Sequence, residues 1–104
     1  MVITTRRTIL LVDDNDVDVQ LMQMALLQAE VDHDLQVVYD GDEALAYLRN
    51  EEPYSSAVKP DLVLLDLMLP PSQRPEEGLA LLEVILGAAP KAKIVVLTGA
   101  GGQD

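Results

Sequence analysis

The sequence contains no cysteine, tryptophan or phenylalanine, and it has 7 lysines and arginines against 18 aspartates and glutamates. Without cysteine, neither disulfides nor thiolate metal sites can form. A formal net charge of −11 argues against a nucleic-acid surface and against anionic membranes, since both need clustered basic residues. No apolar stretch approaches the length of a membrane span, and residues 1–7 contain no separate signal-type segment. We therefore expect a soluble, cytoplasmic protein that contacts neither nucleic acid nor membrane directly.

Short apolar runs alternate with helical patterns along the chain, which is apolar enough, at 49%, to form the core of one domain. The runs predict four buried parallel strands, and the stretches between them predict three helices in a βαβαβαβ order with right-handed crossovers. The predicted strands are residues 8–12, 35–39, 62–65 and 94–97, and the predicted helices are residues 17–29, 42–49 and 76–86.

Each predicted helix has an apolar side and recognisable end signals. Asp16 or Asn15 is expected to cap the first helix, and Gly87 to close the third. Residues 32–34, which include His33, are expected to form a solvated polar turn, and residues 69–75 are expected to be non-helical because they contain three prolines. The inward residues are predicted to be Leu21, Met22, Ala25, Leu26 and Ala29 in the first helix, Ala44, Leu45 and Leu48 in the second, and Leu79, Leu82, Ile85 and Leu86 in the third.

Polar residues follow three of the predicted strands at the point where each strand ends. Asp13 and Asp14 follow the first, Asp66 follows the third, and Thr98 follows the fourth. Because open α/β folds place their ligand sites at the carboxyl edge of the sheet, these side chains are expected to meet there. Three carboxylates at one place repel each other unless a cation joins them, so at least one carboxylate pKa is expected to be raised in the metal-free protein.

Four segments stand out in this order along the chain, namely residues 9–15 (ILLVDDN), 40–45 (DGDEAL), 60–70 (PDLVLLDLMLP) and 95–99 (VVLTG). Through these segments the chain resembles a response-regulator receiver domain of two-component signalling over residues 8–99. Residues 31–69 are most similar to stand-alone receivers that partner phytochrome-type kinases, and residues 70–99 to receivers attached to transcriptional activators.

The resemblance implies a flavodoxin-like, doubly wound parallel sheet of strand order 2-1-3-4-5 and a phosphorylation-controlled switch. It implies that Asp66 is the phosphoacceptor and that Thr98 hydrogen-bonds the phosphoryl group and repositions on activation. It implies a Mg²⁺ site formed by Asp14 directly, Asp13 through water, Asp66, and the backbone carbonyl of Met68. The implied partners are a histidine kinase or phosphotransfer protein, and a downstream effector or attached output domain.

The sequence departs from the receiver pattern in two places. The family has a lysine at the end of a fifth strand, and this chain stops before that position, while Lys91 and Lys93 lie at the wrong end of the fourth strand to replace it. The loop between Asp66 and the next glycine of the pattern, Gly78, is also longer than usual. Residues 1–104 are therefore expected to form a receiver domain that lacks the family's α4-β5-α5 part. The fourth strand is then an exposed edge, so either the protein continues beyond Asp104 or a second chain, in a possible homodimer, covers it.

Other functions remain as alternatives. A haloacid-dehalogenase-type phosphatase needs a second acid two residues after its aspartyl nucleophile, where this chain has Met68. A flavodoxin-like nucleotide or flavin binder needs a phosphate-binding loop after the first strand, where this chain has carboxylates. Residues 13–16 are also compatible with a simple polar turn and helix cap. The missing lysine leaves open a pseudo-receiver, an interaction module that works without phosphorylation. We expect no enzymatic activity beyond Mg²⁺-dependent self-phosphorylation and self-dephosphorylation.

Overall fold

The chain folds around a parallel sheet in the predicted order. The computed structural model describes residues 7–66 and 75–97. The sheet has the order β2-β1-β3-β4, and all three neighbouring pairs are parallel. This confirms the predicted α/β architecture and the first four places of the strand order. The elements are β1 (Arg7–Val12), α1 (Asp16–Gln28), β2 (His33–Val38), α2 (Gly41–Leu48), β3 (Leu62–Asp66), α3 (Pro75–Ala88) and β4 (Lys93–Leu97).

Helices cover both faces of the two central strands, which explains why residues 9–12 of β1 and 62–65 of β3 are all apolar. Successive side chains of a strand point to opposite faces. Leu10 and Leu65 pack with α2 and α3 on one face, whereas Leu11 and Leu64 pack with α1 on the other. All four are at most 6% exposed. This two-sided burial holds the carboxyl ends of β1 and β3 in fixed positions at the same edge of the sheet.

The apolar sides of α1 and α3 differ in part from the prediction. In α1 the buried residue is Val19, with Met22 and Leu26 packed beside it, while Leu21 is 58% exposed and Ala25 and Ala29 are also exposed. In α3, Ile85 is buried and Leu82 packs against the core, but Leu79 and Leu86 are 52% and 50% exposed. Both helices are apolar on more than one side, so spacing alone does not identify which side packs against the sheet. The inward residues predicted for α2 are confirmed.

Some predicted boundaries are also wrong. Residues 32–34 do not form a separate turn, because β2 begins at His33 and pairs with β1 from Arg7 onward. His33 is partly buried, and its Nδ1 lies 2.6 Å from the carbonyl oxygen of Val31. Pro75 belongs to α3 as its first residue, a position where the missing N–H of proline costs no hydrogen bond. Gly87 lies within α3 rather than beyond its end.

Asp61 joins three strands at the opposite, amino-terminal edge of the sheet. Its carboxylate Oδ2 accepts a hydrogen bond from the backbone N–H of Thr8 at 3.0 Å. Its own N–H donates to the Thr8 carbonyl at 2.8 Å, and its carbonyl accepts from the N–H of Lys93 at 3.0 Å. Asp61 therefore aligns the starts of β1, β3 and β4, and so contributes to the register that brings their far ends together.

We expect Asp61→Ala to lower the free energy of unfolding by about 1–2 kcal/mol, because it leaves the N–H of the buried Thr8 without its acceptor. Asp61→Asn is the matched control, since its amide oxygen can still accept that hydrogen bond. Urea denaturation of the two variants measures the effect. Equal stability of the alanine and asparagine variants would show that the side chain does not hold β1 in this way.

β4 pairs only with β3 in the part of the chain that the structure describes. Its Val95 is 45% exposed, which agrees with the expected position of this strand at an edge of the sheet. No helix within residues 7–66 and 75–97 is both long enough and apolar enough to cross a membrane.

Candidate functional site

The candidate site lies where β1 and β3 end side by side. β1 and β3 pair in parallel register from Ile9 with Leu62 to Val12 with Leu65. Asp13 is the residue after Val12, and Asp66 is the residue after Leu65, so the register places the two aspartates next to each other. Asp13 is 3% exposed and Asp66 is 6% exposed. Two buried carboxylates are thus fixed at the carboxyl edge of the sheet.

Asp13 is held by backbone contacts on both sides. Its N–H donates to the carbonyl of Val38 at 3.1 Å, which continues the ladder between β1 and β2 by one residue. Its Oδ1 accepts a hydrogen bond from the N–H of Asn15 at 2.9 Å. Asn15 in turn caps α1, because its Oδ1 accepts from the N–H groups of Val17 and Asp18. Of the two predicted candidates, Asn15 and not Asp16 is therefore the N-cap of α1. This cap fixes the turn that carries Asp13 and Asp14.

The carboxylates of Asp13, Asp14 and Asp66 meet in space. One oxygen from each residue can be chosen so that all three oxygens lie within 4.8 Å of one another. Asp14 is the least buried of the three. The prediction that these side chains come together is confirmed, although the role of each residue stays a prediction. Three carboxylate oxygens at this spacing match the hard oxygen ligands that Mg²⁺ and Ca²⁺ prefer.

Another acidic residue at the same edge has a structural role. Asp40 follows β2 by two positions and caps α2, where its Oδ1 accepts a hydrogen bond from the N–H of Glu43 at 2.8 Å. The Glu43 carboxylate accepts from the N–H of Tyr39 at 2.9 Å. These reciprocal bonds resemble a capping box. They show that the acidity of this edge is divided between helix caps and the three-carboxylate cluster.

Burial raises the pKa of Asp13 from 3.8 to about 6. The hydrogen bond from Asn15 opposes this rise, and the negative charges of Asp66, Asp18 and Asp14 add to it. The predicted increase in a carboxylate pKa is thus confirmed, but desolvation is a larger cause than the repulsion on which the prediction rested. A cation bound among these carboxylates would offset both effects, since it favours the charged form.

We expect this raised pKa to make the metal-free fold less stable at neutral pH. The pKa of Asp13 is higher in the folded state than in the unfolded state. The charged Asp13 carboxylate therefore destabilises the fold fully above about pH 6, and this destabilisation disappears as the pH falls towards 4. With divalent ions chelated, Asp13→Asn should therefore unfold with a free energy about 1–3 kcal/mol higher than the unmodified chain near pH 7. The difference should shrink as the pH is lowered to about 4. Urea titrations at several pH values measure it, and a difference that does not change with pH would contradict this origin.

Two predicted site residues lie outside the residues that the structure describes. Met68, whose backbone carbonyl is the expected additional metal ligand, and Thr98, the expected phosphoryl partner, both remain predictions. The sequence predictions also omitted two contributors to the environment of Asp13. Asn15 donates to it through its backbone, and Asp18 raises its pKa from the first turn of α1.

Comparison with known proteins identifies the family. The family model for the response regulator receiver domain matches residues 9–104. The chain belongs to the response-regulator receiver family. The phosphorylated cyanobacterial phytochrome response regulator RcpA has a similar structure, with a TM-score of 0.80 and 39% identity, covering 94% of this chain and 69% of that one. This receiver domain is therefore a module of two-component signalling.

A curated relative is similar over part of the receiver domain. Response regulator Rcp1 from Synechocystis sp. is 41% identical over 64 residues, which cover 62% of this chain and 44% of Rcp1. A Mn²⁺-bound form of Rcp1 has been solved, and it matches this receiver domain with a TM-score of 0.79 and 33% identity over 93% of this chain and 68% of that one. The sequence alignment thus spans less than half of the length of Rcp1.

Proposed function

We propose that this receiver domain accepts a phosphoryl group on Asp66 from a histidine kinase or a phosphotransfer protein, in a Mg²⁺-dependent reaction. The observation that carries the proposal is the cluster at the carboxyl edge of the sheet, where an oxygen of Asp66 lies within 4.8 Å of oxygens from Asp13 and Asp14. A short carboxylate at the end of a buried strand is rigid, and it can act as a nucleophile towards phosphorus. Membership of the receiver family supports this use of the cluster.

The transfer itself is a displacement at phosphorus. A carboxylate oxygen of Asp66 forms the new O–P bond while the P–N bond of the phosphohistidine breaks. The bonding electron pair leaves with the imidazole nitrogen, and the product is an acyl phosphate on Asp66. The protein contributes positioning and charge stabilisation to such a reaction. Burial on both faces of β3 supplies the positioning.

The donor set of the cluster fits Mg²⁺, since all three side chains offer carboxylate oxygens and Mg²⁺ takes oxygen ligands while keeping several waters. When bound, Mg²⁺ would offset the negative charge of the phosphoryl group and of the cluster. We assign Asp14, Asp66 and the Met68 carbonyl as its direct protein ligands and Asp13 as a ligand through water. Thr98 is proposed to hydrogen-bond the phosphoryl group and to change position when it arrives.

The output of this reaction is proposed to be a changed affinity for a downstream partner, either a separate effector or an attached output domain. We propose a cytoplasmic location for this signalling module, and a homodimer as one arrangement in which a second copy covers β4, which pairs only with β3 among the described residues. The domain has a signalling role, and its chemistry is limited to its own phosphorylation and dephosphorylation.

The alternative function is a pseudo-receiver, an interaction module that works without phosphorylation. Lys59, Lys91 and Lys93 are the lysines among residues 7–66 and 75–97, and each lies before β3 or at the start of β4. They are therefore at the amino-terminal edge of the sheet, and in this part of the chain no lysine lies beside the carboxylate cluster. In the receiver pattern the lysine at this site follows a fifth strand, beyond the residues that the structure describes, so an experiment is needed to distinguish the two functions.

Incubation with an acyl phosphate such as acetyl phosphate, with and without Mg²⁺, separates the two functions. We expect intact-mass measurement to show a single added phosphoryl group with Mg²⁺ and a large loss of that signal with a chelator. A parallel titration with Mg²⁺ should show saturable binding at the cluster. Saturable Mg²⁺ binding without any phosphoryl incorporation would instead support the pseudo-receiver.

A further inference from the structure

A cavity of about 320 Å³ lies at the other end of the strands from the carboxylate cluster. It is formed where the start of β1 and the middle of β2 meet α2 and the segment that follows α2. Thr8 in its wall and Asp13 in the cluster are five residues apart along β1, which corresponds to about 16 Å. The cavity is therefore separate from the phosphoacceptor site. Its lining residues are Thr8, Asp34, Gln36, Tyr47, Pro53, Tyr54, Ser56, Ala57 and Val58.

The outer wall of the cavity is held by hydrogen bonds within the α2–β3 loop. The Nδ2 group of Asn50 donates to the carbonyls of Tyr54 and Ala57 at 3.2 and 2.8 Å. The hydroxyl of Tyr47, from α2, donates to the carbonyl of Val58 at 2.9 Å. The N–H of Ala57 donates to the carbonyl of Tyr54. Because these bonds tie the loop to itself and to α2, the cavity is formed before any ligand arrives, as in most small-molecule sites.

The charge of the lining is negative. Asp34 is its one charged residue, and none of the nine lining residues is cationic. The neighbouring Lys59 directs its Nζ to the carbonyl of Leu48, on the α2 side. Asp34 makes contacts within the chain, but a carboxylate has about four acceptor positions and can bind a further donor beside them. The net charge of −11 also attracts cations to the surface as a whole.

Two aromatic rings complete the cavity. The ring centroids of Tyr47 and Tyr54 lie 5.5 Å apart, with an angle of 53° between the ring planes. Burial raises the pKa of both phenols, and the negative charge of Asp34 raises that of Tyr47 further. Both rings therefore remain neutral, and the field of Asp34 reaches the Tyr47 ring. Tyr47 is buried and Tyr54 is partly exposed, and both line the same cavity as Asp34. A carboxylate and neutral aromatic rings in one lining attract an organic cation, through ion pairing and through cation–π contact.

We propose that this cavity binds a guanidinium or alkylammonium group through Asp34, Tyr47 and Tyr54. The group is either a free small cation or the side chain of an arginine or lysine of a partner protein. The cation lies between the carboxylate and the tyrosine rings, and the carbonyl and amide oxygens of the lining accept its remaining N–H groups. Asp34 and Gln36 are exposed on the edge strand β2, so the group enters from that side.

Backbone-amide NMR of the ¹⁵N-labelled chain tests the proposal with two cationic probes. These are n-butylguanidinium and the peptide acetyl-Gly-Arg-Gly-amide, compared with the neutral n-butylurea and the same peptide with citrulline in place of arginine. We expect saturable shifts at Thr8, Gln36 and Ala57 with a cationic probe, and affinity at least about fivefold weaker with its neutral counterpart. Binding of the peptide alone would identify a partner side chain as the source, and binding of both probes would identify the cation itself as sufficient.

Variants of the lining residues distinguish binding in this cavity from general attraction of cations to an acidic protein. Asp34→Asn and Tyr54→Leu should each weaken cation binding about fivefold or more, whereas Asp32→Asn, with the same charge change two residues away and outside the lining, should leave it unchanged. Dispersion of the NMR signals shows whether each variant is folded. The proposal would be overturned if neither cationic probe bound, or if charged and neutral probes bound equally well. It would also be overturned if Asp34→Asn and Asp32→Asn lost the same amount of affinity, or if the NMR shifts were confined to Asp13 and Asp66.

Discussion

Asp66→Asn is expected to abolish phosphoryl incorporation from acetyl phosphate while leaving the fold intact. An amide is a poor nucleophile towards phosphorus, and the asparagine has nearly the same volume as the aspartate that it replaces at the end of β3. Removing one of three adjacent negative charges should leave the stability of the metal-free protein equal or higher. Intact-mass spectrometry measures incorporation, and urea denaturation measures the free energy of unfolding.

Asp16→Asn is the matched control for this variant. Asp16 is exposed in the first turn of α1, close in sequence to Asp13 and Asp14, and it lies outside the group of carboxylates that meet within 4.8 Å. The control makes the same change of charge near the same edge, so it should be phosphorylated like the unmodified chain. Undiminished labelling of Asp66→Asn would show that the acceptor is another residue.

Asp13→Asn is expected to reduce the stabilisation of the protein by Mg²⁺. A ligand that binds only the folded state stabilises it by about 2.7 kcal/mol at a concentration of 100 times its dissociation constant. Replacing a carboxylate that holds the metal directly or through water should weaken binding by about 10–100-fold. At the same Mg²⁺ concentration, the stabilisation of the variant should therefore be much smaller. Thermal or urea denaturation with Mg²⁺ and with a chelator measures both values.

Asp18→Asn provides the comparison for that experiment. Asp18 raises the pKa of Asp13 through its charge, yet it is not among the clustered carboxylates. Its removal changes the electrostatic field without removing a ligand, so Mg²⁺ should stabilise this variant nearly as much as the unmodified chain. If Asp13→Asn and Asp18→Asn respond equally to Mg²⁺, the effect of Asp13 is one of general charge, and Asp13 is not part of the metal site.

The parts of the site that follow from strand ends could be predicted from the sequence. Apolar runs too short for helices identify β1 and β3, and the parallel arrangement brings Asp13 and Asp66 to one edge. Asn15 was one of two possible caps, and only the backbone geometry distinguishes it from Asp16. The main cause of the raised pKa of Asp13 is burial, which depends on how the surrounding elements pack around it and is not visible in the spacing of acidic residues.

The packing of the helices was harder to predict, because α1 and α3 are apolar on several sides. Leu21 and Leu79 have the spacing of core residues, but both are more than half exposed. The sheet can bury only one side of each helix, and the choice depends on the crossover geometry. The cavity beside Tyr47 was not predicted either. Its walls come from β1, β2, α2 and a loop whose path is set by hydrogen bonds of Asn50 and Tyr47, and no periodic pattern records these contacts.

Identifying the residue that carries the phosphoryl group is the most direct test of this function. Borohydride reduction converts an aspartyl phosphate into homoserine, which peptide mass spectrometry can locate in the chain. After incubation with acetyl phosphate and Mg²⁺, we expect homoserine at residue 66, and none there when Mg²⁺ is chelated. Homoserine at another aspartate, or no homoserine in protein that binds Mg²⁺, would contradict the assignment of Asp66 as the phosphoacceptor.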